Sequence, residues 1–143
     1  MFLLLFCVTA GYAQLDDFGA SARVAGLANA YTGLADDVYA VYYNPAGLGQ
    51  QMRREAAGSY SPVYYQFDDG TSLVNAYAFI TQPLVMQDKL LLTAGLGYNQ
   101  FAISNLYQND TFIFAAGKDL FEILKLPLFV GGTVKMFSRN FAQ

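Results

Sequence analysis

Two short polar stretches in the first fifty residues carry the side chains best suited to a specific role. Asp36-Asp37 places two carboxylates side by side, and Asn44-Pro45-Ala46-Gly47 follows after six intervening residues. Adjacent Asp residues form turns and remain solvated, which is our interpretation of this pair. Calcium binding is the alternative, although the further oxygen ligands at EF-hand spacing are lacking. We therefore expect neither a metal nor another cofactor.

The residue types that most enzymes use for acid–base or nucleophilic chemistry are scarce in this chain. The sequence has no His, and its one Cys, Cys7, lies in an apolar stretch at the N-terminus. The usual general base and a thiol nucleophile in the processed chain are thereby excluded, as are a disulfide and a Cys-rich zinc site. We expect a protein that is not an enzyme, because the Ser-His pair of a lipase would have to come from sequence beyond residue 143.

The balance of apolar and charged residues is unusual for a soluble domain. Of 143 residues, 55% are apolar, 16% aromatic and 13% charged, the last being about half of soluble-protein usage. The mean hydropathy of +0.27 is nevertheless too low for a bundle of membrane helices, and no internal run approaches the roughly 18 apolar residues of a spanning helix. A β-barrel wall reconciles these values, because each strand is apolar on one side only. The net charge of −3 argues against nucleic-acid binding through a basic face.

Five segments show the alternation of a β-strand, namely 55–67, 71–82, 89–101, 110–118 and 127–138. On one side of the third segment lie Leu90, Leu92, Ala94, Leu96 and Tyr98, and on the other lie Leu91, Thr93, Gly95, Gly97 and Asn99. The fourth segment alternates in the same way except at Ile113, and both sides of the second are apolar. Small and polar residues on one side indicate an interior lined by small groups.

The connections between these segments indicate consecutive hairpins. Asp68-Asp69-Gly70 is a turn signal, Pro83 is predicted to end the second strand, and residues 105–110 form a polar loop. The amphipathic run DLFEILKL (119–126) is compatible with a short helix or an extended loop.

The N-terminus is predicted to be a signal peptide over residues 1–13. Phe2–Val8 is an apolar core, and Gly11-Tyr12-Ala13 fits a small-x-small cleavage site. A buried hydrophobic strand is the alternative.

Residues 14–50 are predicted to be a compact plug segment. Its Gly and Ala residues allow close packing, and the stretch from Ala20 to Tyr31 is compatible with a helix interrupted at Gly26. Asn44 is predicted to cap a short helical turn that begins at Pro45 and ends at Gly47 and Gly49. Simple loop punctuation at Asn44-Pro45 is the alternative.

Residues 51–143 are predicted to be the first five strands of an incomplete outer-membrane β-barrel. Five strands cannot close, and open edges would expose unpaired backbone groups to lipid, so we expect a longer barrel to which this chain contributes the N-terminal part. A soluble β-sandwich with its apolar face on a core is the alternative.

Residues 18–49 resemble the N-terminal segment of FadL-like outer-membrane proteins. The resemblance rests on SARVAGLANAY (21–31), on ADDVYAVYYNPAGLG (35–49) and on the alternating strands that follow. The second run is most similar to the PorV/PorQ-like branch. The superfamily includes long-chain fatty acid transporters, aromatic-hydrocarbon channels and proteins linked to type IX secretion.

The resemblance implies a fold, a location and a role. The fold is all-β, the N-terminal part of a transmembrane antiparallel β-barrel of about fourteen strands with an N-terminal hatch, in the outer membrane of a Gram-negative-type bacterium. The role is passive transport of long-chain fatty acids or other hydrophobic molecules, and the alternative is a PorV/PorQ-like component of type IX secretion. The partners are outer-membrane lipid and either a hydrophobic small molecule or a secreted protein. The implied hatch and gating residues are Asn44, Pro45, Ala46, Gly47, Asp36 and Asp37.

Overall fold

A five-stranded antiparallel sheet makes up most of the described structure. A computed structural model describes residues 21–141 except for residues 29, 65–70 and 87–88. The strands are β1 (Glu55–Tyr64), β2 (Leu73–Met86), β3 (Lys89–Ile103), β4 (Tyr107–Asp119) and β5 (Phe129–Phe141). Each pairs with the next in chain order, which confirms the all-β, antiparallel prediction and all five strand segments. The sheet is open, with β1 and β5 at its edges.

Four predictions fall wholly or partly on residues that the structure does not describe. The signal peptide over 1–13, the first seven residues of the predicted plug segment, the last three residues of the first strand segment and the Asp68-Asp69-Gly70 turn lie outside the described residues.

The two faces of the sheet differ in what covers them. One face holds Thr93, Gly95, Gly97 and Asn99 of β3 with their register partners, and we call it the covered face because residues 21–52 pack on it. The opposite face, which we call the bare face, holds Ala94, Leu96, Tyr98 and Gln100 with their register partners. The alternation predicted for the third strand therefore separates a packed face from an exposed one.

Residues 21–52, which we call the N-terminal segment, contain four short helical elements. These are α1 (Ala22–Gly26), the 3₁₀ turn η1 (Ala30–Gly33), α2 (Ala40–Tyr43) and the 3₁₀ turn η2 (Pro45–Gln50). Helix α1 begins where the Ser21 hydroxyl accepts a hydrogen bond from the Val24 amide at 2.9 Å, and it ends at Gly26 as predicted.

The core lies between the N-terminal segment and the covered face. Its members from the segment are Val24, Tyr31, Ala35, Val38, Ala40, Val41 and Leu48, and its members from the sheet are Phe79, Ile113 and Ala115. Ile113 is only 1% exposed, because the segment packs over it. The residue that breaks the alternation of the fourth strand is thus apolar because another part of the chain covers it.

Two predicted boundaries are wrong. Pro83 does not end the second strand, which continues to Met86 with Pro83 opposite Thr93. Because β1 pairs only as far as Thr81, β2 has a single neighbour beyond that point, and an edge position tolerates a residue without an amide hydrogen. The polar loop is also shorter than predicted, since β4 begins at Tyr107.

The connection between β4 and β5 contains helix α3 (Phe121–Leu124). Of the two conformations that the sequence allowed for this run, a short helix and an extended loop, the structure has the helix. Within the described ranges, no helix has both the length and the apolar character needed to cross a membrane.

Candidate functional site: the N-terminal segment on the covered face

Asn44 organises the turn that the sequence singled out. Its backbone is extended, with φ −154° and ψ 95°, and its side-chain oxygen accepts a hydrogen bond from the Ala46 amide at 3.2 Å. Pro45 occupies the first position of η2, where its fixed φ suits a helical turn. The predicted cap and turn are therefore confirmed, although η2 runs to Gln50, past both Gly47 and Gly49.

Asn44 also ties this turn to an earlier part of the segment. Its side-chain nitrogen donates a hydrogen bond to the Thr32 carbonyl at 2.9 Å. One side chain thus fixes η2 to η1, the two 3₁₀ turns that flank α2.

Three glycines of the covered face let the N-terminal segment approach the sheet closely, two of them at the backbone of η2 and one at a side chain of α2. A β-carbon on Gly117 or on Gly131 would overlap the Pro45 backbone, and one on Gly95 would overlap the Val41 side chain. Only glycine leaves room for a chain segment at this distance. The small residues predicted to line the interior therefore form a cradle for residues 41–49.

A second close approach joins η2 to the loop before α2. A β-carbon on Gly47 would overlap the Ala35 carbonyl oxygen, so the two backbones touch. Ala35 has a positive φ of 34°, and its carbonyl accepts a hydrogen bond from the Gln50 side chain at 3.3 Å. The loop that carries the Asp pair is held in this way against the turn that carries Asn44.

The Asp pair is held by Arg23 of α1. The guanidinium donates to both carboxylate oxygens of Asp36, at 2.7 and 3.1 Å, and also contacts Asp37. Arg23 and Asp36 are partly exposed, with 43% and 40% of their side chains accessible. The hydrogen bonds from Arg23 lower the pKa of Asp36 below its ordinary value. Exposed ion pairs stabilise a fold only weakly, so this contact fixes a geometry more than it adds stability.

Asp37 turns the chain between η1 and α2. One of its carboxylate oxygens accepts hydrogen bonds from the buried Tyr31 hydroxyl at 2.5 Å and from the Tyr39 amide at 2.9 Å. The Tyr31 hydroxyl in turn accepts from the Asp37 amide at 3.3 Å. Burial and the bond to Asp37 raise the pKa of Tyr31 above its ordinary value. The turn-forming interpretation of the Asp pair agrees with these contacts.

Glu55, the first residue of β1, connects the segment to the sheet. One of its carboxylate oxygens accepts from the Val38 amide at 2.9 Å and from the Gln51 side chain at 3.3 Å, and the other accepts from Arg53 at 2.9 Å. The Glu55 carboxylate thereby accepts hydrogen bonds from Val38, which precedes η2 in the chain, and from Gln51, which follows it.

Aromatic rings fill the space between α2 and the covered face. Tyr39 meets Tyr77 and Phe79 edge to face, with ring centroids 5.8 and 6.0 Å apart. The Lys135 ammonium of β5 lies over the Tyr42 ring, 4.0 Å from its centroid. Such pairs add to the stability that burial alone provides.

The six residues predicted for the site divide into two groups in the structure. Arg23 and Tyr31 hold Asp36 and Asp37, whereas the sheet glycines seat the turn formed by Asn44, Pro45, Ala46 and Gly47. The Ala35 backbone links the groups.

Sequence reasoning missed Arg23, Tyr31 and Glu55. The sequence held one signal for Arg23. It is the only Lys or Arg in the first 52 residues and so the nearest cation in sequence to the Asp pair.

Among the described residues, no group of three His, Cys, Asp or Glu side chains is placed to hold a metal ion. Comparison with protein-family models, with curated proteins and with solved structures finds no match.

Proposed function

We propose that this chain is the N-terminal part of a FadL-like β-barrel of the bacterial outer membrane. In this proposal residues 14–50 are the hatch that closes the lumen, and the barrel carries long-chain fatty acids or other hydrophobic molecules passively.

One observation supports the proposal above all others, which is that the apolar face of the sheet is the bare one. Ile80, Leu96, Phe114 and Val134 lie opposite one another in a row across four strands. Their exposed fractions are 53%, 53%, 47% and 63%. A soluble β-protein covers its apolar face and leaves the polar one in water, whereas a membrane barrel does the opposite.

The bare face has the height of a membrane band. Along β4 its residues run from Asp110 through Phe112, Phe114 and Ala116 to Lys118. The two charged ends are eight residues apart, about 27 Å along a strand. At a strand tilt of about 40° this corresponds to about 21 Å of membrane depth, most of the roughly 25 Å apolar band of outer-membrane barrels.

Tyrosine and amide side chains lie at one edge of this band. The Tyr98 hydroxyl donates to an Asp110 carboxylate oxygen at 2.7 Å, and Gln100 donates to the same oxygen at 3.0 Å. Tyr60 of β1 lies at a similar level. Its register partner in β2 is Ala76, which is two residues from Ala78, the register partner of Tyr98. Tyr at the edge of an apolar band is typical of a membrane interface.

The covered face supports the hatch assignment. A lumen lined by Gly and Thr is suited to hold an irregular segment, since irregular backbone is tolerated at membrane depth only inside protein. The segment buries Tyr31, Val41 and Leu48 completely in the core that it shares with the sheet.

The mechanism requires no catalytic group. An apolar ligand gains roughly 25 cal/mol for each Å² removed from water, and the hatch must have a second packing of similar energy to let it pass. Turn η2 is fixed by backbone contacts with Gly117 and Gly131, whereas the Arg23–Asp36 pair is partly exposed. We therefore infer that opening begins at the Arg23 end of the segment.

Binding and flux of a labelled long-chain fatty acid test the proposal. The whole protein in lipid vesicles should bind the fatty acid saturably, and Asn44→Ala should raise the flux because it loosens the hatch. Gly132→Ala, on the bare face where an added β-carbon meets nothing within 4 Å, is the matched control. The proposal is withdrawn if neither the parent protein nor Asn44→Ala binds the ligand.

The close seating of η2 favours a second role. A hatch whose backbone touches two glycines of the wall, Gly117 and Gly131, is suited to stay closed, and a permanently closed barrel would serve as a holder for a secreted protein, as in the PorV/PorQ-like branch. Co-purification of a secreted protein with the barrel, together with no fatty acid flux in Asn44→Ala, would support this role over transport.

A further inference from the structure

The connection between β4 and β5 exposes an unusual amount of apolar surface. Within eight residues, Phe121, Leu124, Leu126 and Leu128 are 50%, 48%, 59% and 45% exposed. Contiguous exposed apolar side chains of this size mark a surface that another phase or molecule covers.

Hydrogen bonds nevertheless hold the backbone of this connection. The Leu120 amide donates to the Leu128 carbonyl at 2.9 Å, which closes the connection at its base. The Phe121 amide donates to the Asp119 side chain at 2.8 Å, and α3 ends at Leu124, followed by Lys125 with a φ of 55°. The apolar side chains therefore project from a defined loop.

The position of this loop relative to the bare face indicates what covers it. Lys118 is the last bare-face residue of β4 before the connection, and Phe121 follows three residues later, within about 11 Å of it. On the other side, Leu128 precedes β5 and lies two residues before Val130, a bare-face residue that is 42% exposed. The exposed loop thus adjoins the apolar band at the end of the band that Lys118 marks.

We propose that residues 120–128 lie in the membrane interface, with Phe121, Leu124 and Leu126 inserted at the boundary between headgroups and acyl chains. This inference rests on the proposed function, because the loop reaches lipid only if the bare face does. Lys118 and Lys125 have long apolar stems that allow their ammonium groups to reach the headgroups from this depth. The loop would fix the vertical position of this end of the barrel, as interfacial aromatic and cationic residues do in other membrane proteins.

Fluorescence quenching by brominated lipid tests this placement. The 143 residues contain no Trp, so a single Trp is an added reporter that is measured as the difference from the unsubstituted protein. Three variants of the whole protein, Phe121→Trp, Phe114→Trp and Tyr43→Trp, are folded into phosphatidylcholine vesicles brominated either near the glycerol end or near the methyl end of the acyl chain.

The three reporters have different expected patterns. Phe121→Trp should be quenched more by bromines near the glycerol end than by bromines near the methyl end, so the ratio of shallow to deep quenching should exceed one. Phe114→Trp, in the middle of the bare face, should give the reverse ratio, and Tyr43→Trp, inside the N-terminal segment, should be quenched by neither lipid.

Failure of this inference and failure of the proposed function give different results. If Phe114→Trp is quenched but Phe121→Trp is not, the loop is covered by protein and the inference is wrong, while the membrane wall remains supported. If Phe114→Trp is itself unquenched in the folded protein, the proposed function fails and this inference with it. Should Phe121→Trp not fold, Leu124→Trp reports from the same loop and is judged by the same ratio.

Discussion

Gly131 of β5 and Pro45 of η2 are in backbone contact across the interface between the sheet and the N-terminal segment. A β-carbon on Gly131 would overlap the carbonyl carbon of Pro45 and the Ala46 amide nitrogen. The next residue, Gly132, points to the bare face, and a β-carbon there would meet nothing within 4 Å. Adjacent glycines of one strand thus have opposite roles, since only Gly131 is needed for the segment to be seated.

The first prediction compares these two glycines. Gly131→Ala should destabilise the seating of η2 by about 1–3 kcal/mol, because overpacking against backbone cannot be relieved by a side-chain rotation. Gly132→Ala should change stability by no more than about 0.5 kcal/mol. Hydrogen exchange at the amides of residues 46–50 measures the difference. Equal exchange rates in the two variants would show that the segment does not rest on Gly131.

The second prediction separates the two hydrogen bonds of Asn44. Asn44→Ala removes both the cap on Ala46 and the bond to the Thr32 carbonyl, and should cost about 1–2 kcal/mol. Asn44→Asp keeps an acceptor for the cap but loses the donor to Thr32, so its effect should be smaller on η2 than on η1. Exchange rates at Ala46 and at residues 34–35 distinguish these outcomes. If Asn44→Asp loosens both turns as much as Asn44→Ala does, the cap is not what holds η2.

The third prediction concerns acid and follows from the lowered pKa of Asp36. A carboxyl group whose pKa is lower in the folded state stabilises that state above its ordinary pKa, near 4, and loses this contribution as the pH falls through the lowered value. Protection of the α1 region against exchange should therefore fall below about pH 4 in the parent protein. In Arg23→Gln the protection should already be lower at neutral pH, by no more than about 1 kcal/mol for so exposed a pair, and should vary less with acid. An unchanged acid dependence in Arg23→Gln would exclude Arg23 as its cause.

The fourth prediction concerns alkali and follows from the raised pKa of Tyr31. A group whose pKa is raised on folding contributes stability that is complete below its ordinary pKa, about 10 for Tyr, and is lost as the pH rises above it. The N-terminal segment of the parent protein should therefore loosen above about pH 10. Tyr31→Phe should weaken that dependence while costing about 1–2 kcal/mol at neutral pH, because Asp37 loses a hydrogen-bond donor. Part of the dependence should remain, because burial also raises the pKa of Tyr39 in the same segment. Tyr60→Phe, at a residue that is 71% exposed, is the control and should leave both properties unchanged.

The sequence was sufficient to predict the strands because their signal is local. Leu92, Ala94 and Leu96 alternate with smaller residues over a stretch as long as the strand itself, and no distant contact is needed to recognise the pattern. The cap at Asn44 was predictable for the same reason, since Asn, Pro and the turn lie within a few residues.

The failures come from contacts between residues far apart in the chain. Pro83 is tolerated within β2 only because β1 begins at Glu55 and leaves that part of β2 at an edge. Ile113 breaks the alternation of β4 because the N-terminal segment covers it. Neither fact can be read from the residues next to Pro83 or Ile113. Arg23 lies 13 residues before Asp36, too far for a local pattern to reveal their ion pair. The one signal in the sequence was that Arg23 is the only Lys or Arg in the first 52 residues.

The last prediction tests whether the bare face meets lipid. Phe114→Arg places a charge in the middle of the apolar band, where a barrel in a bilayer should lose about 2–4 kcal/mol. Ser138→Arg places the same charge on the bare face of β5 opposite Asp110, at the polar edge of the band, where the cost should be about 0–1 kcal/mol. Urea unfolding of both variants from lipid vesicles measures the two costs, with the parent protein as reference. A soluble sheet with its bare face in water would tolerate both substitutions equally, so equal unfolding midpoints for the two variants would remove the membrane wall from this account.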